Sequence, residues 1–225
     1  MIITVGNTKG GVGKSTTALQ LAIGLALDGA RTWLVDGDHQ QTSLSAVTIR
    51  QETGRPMIAA SAYEKGADLR TQVLLQQGGY DHVIIDAGGR DTGALRGALT
   101  VSDVVLIPFL PRSFDVWAFD NMATLLDEAR SVRDIRALAF LNKADAQGAD
   151  NEDAQEAIAA YPGIELLPVT VRERKAFANA SGMGLHIGEY KHPKRGPDER
   201  AIFEMRALQR RLFESMAQPA AVAVN

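Results

Sequence analysis

The 225-residue chain contains no cysteine, which excludes disulfides, cysteine-ligated iron–sulfur clusters and thiol catalysis, and fits a reducing cytoplasm. No apolar run approaches the roughly 20 residues that a membrane-spanning helix needs, and the apolar start at Met1–Val5 is too short for a signal peptide. Charge of one sign is not in excess. A net charge of −3 gives no global pull toward nucleic acid or membrane, so any such affinity has to be local. Internal repeats and low-complexity tracts are also absent. What is present is 45% hydrophobic residues in a chain long enough for one full core. A single domain over residues 1–217 is expected, followed by a disordered tail at 218–225.

Short Val- and Ile-rich runs alternate with longer segments of helical periodicity, the pattern of a parallel sheet covered on both faces. The runs predict strands at Ile2–Val5, Thr32–Asp36, His82–Asp86, Val104–Pro108, Ala137–Leu141 and Glu165–Val169. Helices are predicted at 14–28, 42–52, 93–101, 114–131, 151–161 and 172–180, with a last one at 199–216 whose apolar stripe reads as core packing. The fold class is therefore α/β, a doubly wound, mainly parallel sheet, with ligands expected at the carboxyl ends of the strands.

The segment Asn7–Gln20, NTKGGVGKSTTALQ, follows the first strand and opens a helix. It is one residue from the phosphate-loop pattern G-x-x-x-x-G-K-[ST]: Thr8 stands where the first glycine belongs, and Lys9 follows it. Gly10, Gly11 and Gly13 let the backbone N–H groups curl inward, Val12 and Thr16 complete the cradle, and the helix N-terminus adds positive partial charge. In such a loop Lys14 reaches the β- and γ-phosphates and the Ser15 hydroxyl holds Mg²⁺. Two strands end in carboxylates, VDGDHQ with Asp36 and Asp38 and IIDAGG with Asp86, where a buried aspartate is costly without a partner.

The residues KGGVGKST, VDGDHQ and IIDAGG together resemble the deviant Walker A ATPases of the ParA/MinD superfamily, over about residues 1–216. The chain looks most like the small ParA-type, ParF-like partition ATPases, and since it starts at the first strand no helix-turn-helix module is expected ahead of it. The resemblance implies an ATP- and Mg²⁺-dependent sandwich dimer with slow intrinsic ATP hydrolysis. In that dimer Lys9 contacts the phosphates held by the other subunit, as an arginine finger does. Asp38 matches the water-positioning acid, Asp36 and Asp86 the magnesium-shell carboxylates, and Gln40 a glutamine of the partition branch. His39 stands where the family often has proline, and Ala87-Gly88-Gly89 replaces proline-rich text; the roles of Arg90 and Asp91 stay open.

Leu141–Gly148 contains N-K-x-D, a guanine-reading pattern, but the resemblance implies ATP, with Asn142 contacting the base. Between residues 172 and 211 the local charge is +5, leaving −8 for the remainder. That patch suggests nonspecific contact with DNA phosphates through Arg172, Arg174, Lys191, Lys194, Arg195, Arg206, Arg210 and Arg211. The resemblance further implies a centromere-binding partner, of ParB or ribbon-helix-helix type, and a nucleoid-associated, cytoplasmic location. A MinD-like membrane or protein-cargo role is the alternative. The final AAVAVN lacks the large apolar residues and basic face of a membrane-binding helix, so no membrane partner is expected. A metabolic ATP-dependent ligase is a third class, for which no substrate pocket is legible.

Overall fold

The structure is a computed structural model that describes residues 1–89, 93–111, 116–145 and 150–218. Arg90 and Asp91 lie outside the described residues, as does the tail beyond 218. Seven strands form one sheet: β1 (Ile2–Val5), β2 (Thr32–Asp36), β3 (Ala59–Ala62), β4 (His82–Asp86), β5 (Val104–Phe109), β6 (Arg136–Ala144) and β7 (Glu165–Arg172). Their spatial order is β3-β2-β4-β1-β5-β6-β7, and every pairing is parallel. The doubly wound class read from the sequence is the fold observed.

Among the described residues, eight α-helices cover the two faces: α1 (Lys14–Leu27), α2 (Thr42–Gln51), α3 (Gly66–Gln76), α4 (Gly93–Leu99), α5 (Val116–Arg130), α6 (Asp150–Ala159), α7 (Lys175–Gly182) and α8 (Glu199–Ala217). One core lies under α3 to α6, with Val83, Ile85, Val105 and Ile107 from the strands; the other, under α1, α2, α7 and α8, takes Ile3, Val5, Ile84 and Leu106. This alternation along β1, β4 and β5 is what a sheet buried on both faces requires. The stripe of α8 goes to the second core: Met205, Leu208 and Leu212 are buried, while Phe203 is exposed.

β3 and α3 were not legible. Ala59–Ala62 is a four-residue edge strand without a β-branched residue, and α3 buries only Leu69 and Val73. Two boundaries also move. β6 continues three residues past Leu141, and β7 runs to Arg172, so the helix expected at Arg172–Ala180 starts at Lys175.

The register matters for the site. Val5 pairs with Asp86, and Asp86 with Asp36, so both carboxylates stand at one level beside the exit of β1. The strand order switches around β1, which lies between β4 and β5, and the loop after it opens into the crevice there.

Candidate nucleotide site

The loop from Gly6 to Gly13 is pinned before it turns. Buried Asn7 donates through Nδ2 to the Pro108 carbonyl at 2.8 Å, and its Oδ1 accepts the Lys9 N–H at 2.9 Å. Gly11 and Gly13 are left-handed, with φ of 76° and 92°. At Gly13 a side chain is also sterically excluded, since a Cβ would stand 2.4 Å from Asn142 Nδ2. The loop then feeds α1, whose buried first residue, Lys14, donates through Nζ to the Lys9 carbonyl at 2.7 Å. Burial lowers the Lys14 pKa, while Asp86 and Asp38 favour its charged form.

The three aspartates differ in how they are held. Asp36 is fully buried and engaged: Oδ1 accepts the Asp38 N–H at 2.9 Å, and Oδ2 accepts the Ser43 hydroxyl at 2.8 Å and the Leu44 N–H at 2.9 Å. It therefore ties the β2–α2 loop and the start of α2 as well as facing the site. Asp38 is half-buried; its Oδ1 accepts the Gln40 N–H at 3.0 Å, and its Oδ2 lies 3.4 Å from where a Gly88 Cβ would be. Asp86 is fully buried, and neither carboxylate oxygen has a hydrogen-bond partner. Burial and then the neighbouring Asp36 push its carboxyl up to about 7; Ser15, Ser43 and Lys14 act in the opposite direction.

An orphaned buried carboxylate is costly, and a divalent cation is the kind of ligand that removes the cost. Asp86 and the adjacent Ser15 therefore fit Mg²⁺ as held in phosphate-loop sites, by few protein ligands with the rest from phosphate and water. Among the described residues no cluster of three or more His, Asp or Glu forms an all-protein metal cage. His39 is exposed and pairs with Glu64 at 3.0 Å.

Gly10, Gly11, Gly13, Lys14, Ser15, Thr16, Asp38, Gly89 and Lys143 line a cleft of about 380 Å³, the size and lining for a polyphosphate. A side chain at Gly89 would crowd the cleft, because a Cβ would come within 3.1 Å of Lys14 Nζ. A pocket of about 480 Å³ adjoins it through Gly13, Thr16 and Lys143 and continues along Asn142 and residues 171–175. That is room for a nucleoside. Asn142 donates through Nδ2 to the Val12 carbonyl at 2.7 Å, so its carbonyl oxygen is what remains for a base amine. Asp145, the last residue of N-K-x-D, lines not this pocket but its neighbour, which shares Arg172 and Arg174 with it and adds Glu204.

Lys143 also belongs to the site, though the N-K-x-D pattern gives its lysine no distinctive signal. It has a φ of 50°, rare for a side-chain-bearing residue, and its Nζ donates to the Gly11 carbonyl at 2.8 Å. Lys143→Ala is expected to loosen the loop and weaken nucleotide binding roughly fivefold to tenfold, the scale of one charged hydrogen bond. A fluorescence titration with labelled ATP giving unchanged affinity would remove Lys143 from the site.

The residues expected to contact DNA separate into two groups. Lys191, Lys194 and Arg195 are exposed on a turn closed by His192 and Gly196 and form no ion pair among the described residues. Arg206 is likewise exposed, and the Arg172 side chain faces solvent. Arg174, by contrast, is bound to Glu204 at 2.6 and 3.1 Å and to Asp198 at 3.8 Å, so it is a structural cation within the fold. Arg210 and Arg211 both meet Glu214, which reduces their net field.

A glycine loop between a strand and a helix, an inward lysine and flanking strand-end aspartates define a phosphate-loop nucleotide-binding protein. More particularly, the chain belongs to the CobQ/CobB/MinD/ParA nucleotide binding domain family, whose model matches residues 3–187. It is 28% identical over 187 residues to the maintenance of carboxysome distribution protein A of Halothiobacillus neapolitanus, covering 82% of this chain and 85% of that protein. To protein ParA of Rhizobium radiobacter it is 25% identical over 96% of this chain and 98% of the other. Among solved structures, cobyrinic acid a,c-diamide synthase of Mycobacterium smegmatis with bound ATP analogue and magnesium shares the fold. The TM-score is 0.74 at 15% identity, covering 96% of this chain and 94% of that one.

Proposed function

We propose that the chain is a Mg²⁺-dependent ATPase that positions a cargo by cycling between an ATP-bound dimer on DNA and a released form. The observation that carries this is the pairing of a complete phosphate cradle with Asp86, a buried carboxylate without a hydrogen-bond partner that stands just behind Ser15 and Lys14 of the cleft wall. ATP is the nucleotide favoured, because Asn142 and not the N-K-x-D aspartate Asp145 lines the pocket adjoining the phosphate cleft. When bound, Mg²⁺–ATP supplies the phosphoryl group and the cation that neutralises its charge. Ser15, Asp86 and Asp36 are the residues that would hold the cation, and Lys14 and the loop N–H groups would orient the phosphates. Asp38 holds the attacking water through Oδ2, the oxygen left free by the Gln40 N–H.

Lys9 serves a second copy. Its backbone is fixed on both sides, by Asn7 and by Lys14, and the neighbouring Gly10 and Gly11 border open space where another subunit can sit. Lys9→Ala is expected to retain ATP binding but lose the ATP-dependent dimer. Sedimentation velocity showing that dimer intact in the variant would overturn the role in trans.

The ATP-bound dimer contacts DNA without sequence preference through Lys191, Lys194, Arg195, Arg206 and Arg172, placing the protein on the cytoplasmic nucleoid, and a centromere-binding partner of ParB or ribbon-helix-helix type stimulates release. Binding measured with ATP, ADP and no nucleotide across a salt series tests this, because a phosphate-driven contact weakens steeply with salt. A second reading changes only the cargo. The relative from Halothiobacillus neapolitanus is named for carboxysome distribution, which favours a protein compartment as readily as a DNA locus.

A further inference from the structure

A further cavity, of about 440 Å³, lies at the far end of α1 from the phosphate loop, roughly 15 Å along the helix. Its walls come from Gly24, Leu27 and Asp28, from the segment 186–189, and from Arg206, Gln209, Arg210 and Phe213 of α8. Nothing in the nucleotide site uses it.

The donors gather on one side. His186 is 93% buried by its 7% exposure, and its Nδ1 accepts the Gly188 N–H at 3.1 Å, which places the ring proton on Nε2. Burial pushes the imidazole down to about 4, so it is a neutral donor. Nε2 has no hydrogen-bond partner among the described residues and points to the space beside Gly24, 3.2 Å from where a Cβ would stand. Arg206 acts on His186 electrostatically and has no ion pair among the described residues; Arg210 meets Glu214 only at 3.8 Å.

The acceptors stand beside them, Gln209 lying between Arg206 and Arg210 on one face of α8. Gln209 Oε1 is 2.9 Å from the same missing Cβ, while its Nε2 donates to Asp28 Oδ2 at 2.7 Å and leaves Oδ1 of Asp28 open. Glu189 does not count among them, because Arg50 and Arg55 already bind its carboxylate. Leu27 and Phe213 add apolar surface. A simple anion would be repelled by Asp28 and a simple cation by Arg206, whereas a molecule carrying both charges satisfies both walls.

We propose that this cavity binds a small zwitterion of the amino-acid type, its carboxylate on His186 Nε2, Arg206 and Arg210, its ammonium on Asp28 and Gln209 Oε1. The inference does not rest on the nucleotide site, since none of these groups belongs to the phosphate cleft; Arg206 alone is shared with the proposed DNA surface, and Gly24→Ala tests the cavity apart from it. The absent Cβ at Gly24 lets Gln209 Oε1 and His186 Nε2 converge beside α1, and a methyl group there would push them apart.

The test uses the full chain with labelled histidine, so that His186 is followed by NMR while the twenty amino acids are added singly at millimolar concentration. At least one is expected to shift the His186 signal saturably, and its amide and N-acetyl derivatives to fail. Arg206→Gln should weaken that binding about tenfold, the effect of losing one charge-assisted bond. Gly24→Ala should abolish it while the far-ultraviolet spectrum stays native, because alanine is the better helix former and the flexible Gln209 can yield. Arg211→Gln, outside the cavity, should leave binding unchanged. The proposal is overturned if no amino acid moves His186, if Arg206→Gln or Gly24→Ala binds as well as the unmodified chain, or if only phosphate or duplex DNA shifts the signal.

Discussion

Asp86→Asn is expected to give a protein that is more stable without nucleotide and defective with it. The carboxyl is fully buried beside Asp36, which raises it from the usual 3.8 to about 7. A raised folded-state value means that the folded chain binds more protons than the unfolded one between those two values. Stability from this group is therefore complete below pH 4, declines as pH rises through 7, and is flat above. The full shift corresponds to about 4 kcal/mol at most, at roughly 1.4 kcal/mol per unit. Asparagine carries no charge, so the variant should lose that decline and melt at higher temperature than the unmodified apoprotein at pH 8. With Mg²⁺ and ATP present the order should reverse, because the cation loses its buried ligand; affinity is expected to fall at least about tenfold. Calorimetry across pH 5 to 8, with and without Mg²⁺–ATP, reads both effects, and an apoprotein no more stable than the parent at pH 8 would refute the account.

The second large effect is remote from the site. Arg50 of α2 is fully buried and makes four partners: the Pro56 and Gly184 carbonyls at 2.8 and 3.0 Å, and both Glu189 oxygens at 2.7 and 3.0 Å. Arg50→Met leaves a nearly buried carboxylate answered only by the His186 N–H and part-exposed Arg55, and should destabilise the fold by about 3 to 5 kcal/mol. Adding Glu189→Gln to that variant removes the stranded charge and should recover part of the loss. For Glu189 itself, burial pushes the carboxyl up, but hydrogen bonds from Arg50 and the His186 N–H outweigh it and hold its pKa low. The pair therefore stabilises at neutral pH and gives way as pH falls through the acid range. Chemical denaturation at pH 7 checks the magnitude; a loss below about 1 kcal/mol would mean that the pair is replaceable by packing.

Much of this architecture could be read in the chain because its strands are apolar runs that end in charges or glycines. Asp36 and Asp86 were placed at strand ends by that rule alone, and the phosphate loop by the order strand, glycines, lysine, helix. What could not be read is instructive. Ala59–Ala62 pairs with β2 through its backbone, so its side chains carry little signal. That Asp36 has three donors while Asp86 has none depends on Ser43 and Leu44 folding back, a tertiary event without local pattern. Lys143 owes its place to a left-handed backbone that lysine rarely adopts, so its composition argued against it. Arg174 looked like part of a basic patch until Glu204, thirty residues on in the chain, neutralised it.

The parallel register at the exit of β1 acts as a ruler. Val5, Asp86 and Asp36 stand abreast, and successive residues of a strand face opposite sides. Deleting one residue inside β2 or β4 would therefore turn an aspartate from the crevice toward a hydrophobic layer and bring an isoleucine or valine to the phosphates. The site should accordingly tolerate exchanges of apolar side chains within these strands far better than any change in their length, even by one residue.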